Sequence, residues 1–174
     1  METLMATGKQ IQNKQLIALT NGKKVGEVKD LYLDDRLNKI VALYLGAEGL
    51  INKKHFAMPR SHVQVMGVDA WLVTDSNAIP PESLPDFDRM VLMSEVRGRE
   101  IVTEGGTKIG AVEDFIFDDA GELVGLTLNK IVIQGPLAER KVIARAAIST
   151  VGSNTSAMTT DLAKAEATQV PAQG

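Results

Sequence analysis

The chain has 174 residues, enough for one domain of ordinary size or two small ones. Apolar residues make up 44% and aromatics only 4%, so an aliphatic core is expected and wholesale disorder is excluded. The formal net charge of -3 offers no basic field for phosphates, which argues against direct nucleic-acid binding, and the absence of Cys removes disulfide scaffolds, thiolate catalysis and Cys-based zinc sites.

Residues 1–14 are polar and without period, and read as an N-terminal arm. They lack the long apolar run of a signal peptide, and no stretch reaches the length of a membrane span. The chain is therefore read as soluble and cytoplasmic. Leu16 to Leu19 reads as a strand, and Thr20-Asn21-Gly22-Lys23-Lys24 as a tight turn, because Asn and Gly both tolerate positive φ. A strand follows from Val25 to Leu33. Neither of its faces is cleanly apolar, so a bend or bulge is expected, with Gly26 the natural place for it.

Asp34 to Asn38 is a polar reversal. Lys39 to Leu45 is a central strand, apolar on both faces. Gly46 to Lys54 is a loop with the apolar tip Leu50-Ile51. His55 to Pro59, His62 to Met66 and Ala70 to Thr74 complete a run of short strands broken by turns. Such a run with almost no helical period predicts a small all-β barrel or sandwich over residues 15–78. Pro80, Pro81 and Pro85 stand among polar residues and predict a linker over 79–92.

The pattern then begins again. Val25-Gly26-Glu27-Val28-Lys29-Asp30-Leu31-Tyr32-Leu33-Asp34-Asp35 returns as Ile109-Gly110-Ala111-Val112-Glu113-Asp114-Phe115-Ile116-Phe117-Asp118-Asp119. The pairs Gly26/Gly110, Leu43/Leu126 and Arg60/Arg145 stay 83 to 85 positions apart. That spacing marks a duplicated domain, with a second barrel over 93–160 and a tail over 161–174. Ser156 to Thr159 is the second repeat's last strand, Leu162 to Ala167 a helical turn or two, and Val170 to Gly174 a disordered end.

The element G-x-x-V-G-x-V-x-D, followed by alternating apolar residues and a further Asp, stands at Gly22 to Asp30. It returns at Gly106 to Asp114 with Ile for the first Val. With the later strands Phe56 to Met66 and Val142 to Val151, it resembles the PRC-barrel family in both halves. The resemblance implies two tandem, highly curved β-barrels. That family is named for the cytoplasmic part of the photosynthetic reaction-centre H subunit, and includes the C-terminal domain of a ribosome maturation factor. The chain lacks the membrane helix of the first and the N-terminal domain of the second. What remains common to them is docking onto another macromolecule. The two barrels are expected to pair about a pseudo-twofold axis, within one chain or as a homodimer.

Several residue sets invite chemistry. Asp34-Asp35 and Asp118-Asp119 are paired carboxylates, but their spacing is not that of an EF-hand and Asp favours turns. Asp30 and Asp114 are single carboxylates among apolar neighbours. No repeated His, Lys or Ser accompanies them, so they are read as caps on backbone N–H groups. His55 and His62, the only histidines, have no counterparts in the second repeat and fall on opposite faces of a regular strand. Gly105-Gly106-Thr107-Lys108 lacks the full phosphate-loop pattern. Leu50-Ile51 and Ile131-Val132-Ile133 are read as barrel caps or, if exposed, as docking patches.

No catalytic, cofactor or metal residue is assigned. The favoured reading is a non-catalytic adaptor or assembly protein that binds another protein or complex. A ribosome- or RNA-associated factor is the alternative, and a small-ligand binder or enzyme the third.

Overall fold

A computed structural model describes residues 5–170 of the chain. The expected ends at 1–4 and 171–174 lie outside the described residues. The chain opens with β1 (Ala6–Thr7), α1 (Gly8–Ile11), β2 (Gln15–Ala18), β3 (Lys24–Glu27) and β4 (Asp30–Leu33). It continues through β5 (Ile40–Glu48), β6 (Lys54–Pro59), β7 (Val63–Met66), β8 (Ala70–Val73) and β9 (Val91–Leu92). The second half holds α2 (Met93–Val96), β10 (Glu100–Thr103), β11 (Lys108–Phe117), β12 (Leu123–Asn129) and α3 (Pro136–Arg140). It ends with β13 (Val142–Ala144), β14 (Ile148–Thr150), β15 (Met158–Thr160) and α4 (Leu162–Ala167). The all-β class is as expected from the sequence.

Two compact units result. The N-terminal one holds residues 9–35 and 39–93. The C-terminal one holds residues up to 8, then 36–38 and 94 onward. The N-terminal unit has two four-stranded sheets, ordered β3-β2-β8-β7 and β6-β5-β4-β9. In the C-terminal unit the equivalent strands form one sheet, β13-β12-β11-β10-β15-β14, with β1 added to β11. The difference lies in one place. β11 runs unbroken for 10 residues, whereas its counterpart is divided into β3 and β4. No ladder closes on itself among the described residues, and the multiple sheets are consistent with the expected all-β PRC-barrel fold.

The expected bend is present, displaced from the glycine. The β2–β3 register passes from Leu16↔Gly26 to Ile17↔Lys24, leaving Val25 as the extra residue. The β10–β11 register does the same at Ile109, passing from Ile101↔Gly110 to Val102↔Lys108. A second extra residue, Glu113, separates Val112↔Leu128 from Asp114↔Thr127. A bulge adds twist and bends its strand, so one strand serves two partners along its length.

Each repeat is tied end to start by a parallel pair. Leu16 faces Trp71 and Ala18 faces Val73 across β2–β8. Ile101 faces Met158 across β10–β15, which puts the second repeat's last strand slightly later than the sequence pattern indicates. Leu16, Trp71, Val73, Ile101 and Met158 are all buried. The hairpin at Asn21-Gly22 is as expected: Gly22 has φ +68° and its N–H donates to Ala18 O at 2.8 Å.

Two expected peripheral segments, the Pro-rich stretch and the N-terminal arm, are folded instead, and the tail forms its helix at Leu162–Ala167 as expected. The Pro-rich stretch 79–92 is not a linker. Ile79 pairs with Ala57, Leu84 is buried with Tyr32 and Ala42, and Leu92 pairs with Tyr32. Its apolar residues are spaced irregularly, which hides them from a periodicity reading but not from an exposed sheet face. In the arm, β1 pairs with β11 and Ile11 is fully buried. In the tail, Asp161 caps α4 by accepting from Lys164 N–H at 3.2 Å, and Val170 reaches Gly125.

The two repeated glycines are not equivalent. A Cβ on Gly110 would stand 2.8 Å from Asn129 O and 3.3 Å from Ile131 Cα, whereas one on Gly26 meets only the Leu45 side chain, at 3.7 Å. Gly110→Ala is expected to destabilise the protein by about 1–3 kcal/mol. Gly26→Ala should stay within about 0.5 kcal/mol of wild type. Denaturant melts of the two variants check this, and equal losses would refute it.

Candidate functional site

The paired carboxylates close turns. Asp118 Oδ1 accepts from Ala120 N–H and Glu122 N–H, both at 2.9 Å. Asp34 Oδ1 accepts from Lys39 N–H at 2.9 Å, and Asp35 meets Arg89 at 3.3 Å on the surface. Such local side-chain bonds stabilise a reversal.

Asp30 and Asp114 occupy equivalent positions with different surroundings. Asp30 is half-buried and accepts from the next residue's N–H, Leu31, at 2.8 Å. Asp114 is 4% exposed and lies 3.0 Å from the Arg97 guanidinium. This partner is absent from the sequence reading, which sought repeated residues. Arg97 is not repeated: its counterpart is Gln12, which donates to Lys29 O at 3.0 Å. The positional signal was therefore present only as a difference between the repeats.

The histidines do not share a strand. His55 is on β6 and its Nδ1 shares a 2.7 Å hydrogen bond with Tyr44 Oη. His62 ends the 3₁₀ turn Arg60–His62, so strand alternation does not govern the pair. Among the described residues, no group of three His, Asp or Glu side chains is placed to hold a metal. Gly105-Gly106-Thr107-Lys108 is a hairpin turn, with Thr107 N–H on Thr103 Oγ1 at 3.0 Å and Lys108 continuing into β11.

A shared cation role escaped the sequence reading. Arg99 donates to Val151 O at 2.8 Å, and Lys14, at the matching position of the first repeat, donates to Val68 O. Each pins the loop that follows the penultimate strand of its repeat. The sequence signal was a cation at one repeat position. Arg99 also lines a cavity of about 510 Å³ with Glu95, Arg97, Glu100 and the loop 153–157. Burial pushes the Arg99 guanidinium down from its ordinary range, against the opposing pull of Glu95. The loop hydroxyls bond to one another, Ser153 Oγ to Ser156 Oγ at 2.8 Å. Charges of both signs line this cavity, so no net field selects a ligand.

The most exposed apolar feature is the β5–β6 tip. Leu50 is 100% exposed and Ile51 94%, and residues 47–55 are exposed throughout. The barrel-cap reading thus fails for this pair. In the second repeat Ile131 packs on Gly110 and Val132 N–H donates to Ile109 O at 3.0 Å, while the Val132 side chain faces out.

Two outcomes are expected. Asp114→Ala removes the buried carboxylate that Arg97 meets and should cost about 1–3 kcal/mol, more than Asp30→Ala, as thermal melts will check. Near the first bulge, Glu27 is held at 2.8 Å by Lys24 and 3.1 Å by Lys29. Hydrogen bonding and charge from Lys24, then Lys29, lower its pKa to about 2. A carboxylate held below its unfolded value contributes stability at higher pH and loses it as pH falls toward its folded pKa. Lys24→Ala with Lys29→Ala should move the Glu27 midpoint up toward 4.5 in an NMR titration.

Among the described residues no helix is long and apolar enough to cross a membrane. The search of curated proteins finds no match to the chain. A family model does match: residues 88–144 fit the PRC-barrel domain, spanning β9 to β13 and the bent strand with its buried Asp114. Residues 88–144 are thus similar to a PRC-barrel domain, and the bent strand and the turn-closing Asp118 both lie inside the matched span.

Proposed function

We propose that this protein is a non-catalytic adaptor that docks onto a protein partner through the β5–β6 hairpin. The exposed Leu50-Ile51 tip carries the reading. Fully burying two such side chains is worth about 1.5–3 kcal/mol each. That is a substantial share of the roughly 8 kcal/mol of a micromolar contact. The first repeat keeps this apolar pair free of its own fold, while the second folds Ile131 back onto Gly110. The family match supports a domain without prescribing chemistry, since function lives in sites carried by a fold.

The polar candidates support the same reading. Asp34, Asp118 and Asp114 have their carboxylates engaged by turn N–H groups or by Arg97. A ribosome- or RNA-associated role has no comparable support, because the net charge is negative.

The test is affinity capture with wild type and with Leu50→Ser/Ile51→Ser in parallel. The expected result is a partner enriched by wild type and lost from the double variant, whose melting temperature is unchanged. Capture that is indifferent to the substitutions would reject the hairpin as the dock. Salt-sensitive co-sedimentation with ribosomes would favour the RNA-associated alternative.

A further inference from the structure

We infer that the two sequence repeats fold by exchanging their opening strands, each unit being completed by the segment that opens the other repeat. Both repeats open alike, with a two-residue strand, a four-residue helix and then the first hairpin: β1-α1-β2 and β9-α2-β10. The helices are followed at matching positions by left-handed residues, Asn13 at φ +72° and Gly98 at φ +86°. These lead segments are therefore equivalent parts of the duplication.

Their places in the fold are crossed. β1, which opens the first repeat, belongs to the C-terminal unit and pairs there with β11 through Ala6↔Phe117 and Thr7↔Ile116. β9, which opens the second, belongs to the N-terminal unit and pairs there with β4 through Tyr32↔Leu92 and Leu33↔Val91. Tyr32-Leu33 and Ile116-Phe117 are the same two positions of the repeated strand. One acceptor edge, present twice, thus receives the same lead strand in both cases, always from the other repeat.

The physical need is visible at the edge itself. Past the bulge, the repeated strand has left its first partner and would expose unpaired N–H and C=O groups. Its side chains there are buried: Leu33 and Phe117 fully, Ile116 at 1% and Tyr32 at 7%. A bare edge beside buried apolar residues is completed by adding a strand, as in β-augmentation. The turn 36–38 strengthens the crossing in one direction. It belongs to the C-terminal unit, where Leu37 is buried and Arg145 Nε donates to Leu37 O at 2.9 Å.

Hydrogen exchange on the full-length protein tests this with two variants. Thr7→Pro should speed exchange roughly tenfold at whichever of Ile116 and Phe117 directs its N–H toward β1, the other being bonded to β12, while leaving β4 protected. Leu92→Pro should do the reverse, speeding exchange at whichever of Tyr32 and Leu33 directs its N–H toward β9 and sparing β11. Faster exchange confined to the repeat that carries the substitution would overturn the inference. If either variant fails to fold, the wild-type chain is cut after folding, at a protease sequence inserted between the exposed Ser76 and Asn77. The fragments are then expected to elute as one particle with both edges still protected. Fragments that separate and each keep protected edges would overturn it.

Discussion

A strand that must pair with different partners along its length has to bend, and the rest of this structure follows from that constraint. In the C-terminal unit β11 pairs with β10 through Gly110 and Ala111, with β12 from Ala111 onward, and with β1 at its end. No flat strand satisfies all three. The extra residues at Ile109 and Glu113 supply the turn of the backbone. Val112 sits between them and exchanges backbone bonds with Gly98 and Arg99 at 2.8 and 2.9 Å. The first repeat makes the same pair of bonds, Asn13 N–H to Val28 O and Val28 N–H to Lys14 O, and there the strand parts into two. The same local device gives one sheet in one unit and two in the other.

Around that bend, apolar burial and local polar bonds divide the work. The core is aliphatic, with Phe115 and Phe117 stacked at 6.1 Å in the second repeat and Tyr32, Tyr44 and Phe87 clustered in the first. Polar groups near the core are mostly spent on nearby backbone. Arg60 and Arg145 donate to Val63 O and Ile148 O, each across its own 3₁₀ turn. Lys14 and Arg99 pin matching loops. The repeats keep such backbone-directed contacts and differ in side-chain pairs, of which Arg97–Asp114 is the most buried. A contact to a carbonyl needs only a cation in the right place, whereas an ion pair needs both partners.

Function is sought where the repeats diverge. The shared strands maintain the fold, and loops outside them are free to carry recognition. The β5–β6 hairpin of the first repeat extends an apolar tip into solvent, while the corresponding loop of the second folds back on the sheet and continues into α3. In the first unit this loop stands clear of its sheet, and in the second it packs on its own.

Much of this was legible in the amino-acid order. Alternation of apolar residues located the strands, Asn21-Gly22 and Gly106 located the hairpins, and the Gly, Val and Asp pattern pointed to the PRC-barrel domain matched at residues 88–144 and to the all-β class. These are local properties, set by pleat period and by backbone sterics. The role of Asp118 follows from neighbours within four residues. Three matters belonged to tertiary structure alone. Asp114 finds Arg97 at a separation of 17 residues, so its partner follows from the folded path. The Pro-rich stretch 79–92 and the ends of the chain look peripheral by composition, yet Leu84 and Ile11 are buried because open sheet faces and edges were waiting for them. The exposure of Leu50-Ile51, against the partial cover of Ile131, was equally undetermined: the second loop lies close on the Gly110 backbone and continues into α3, and the first does neither. Periodicity reports which residues seek cover, and only the folded chain decides which of them find it.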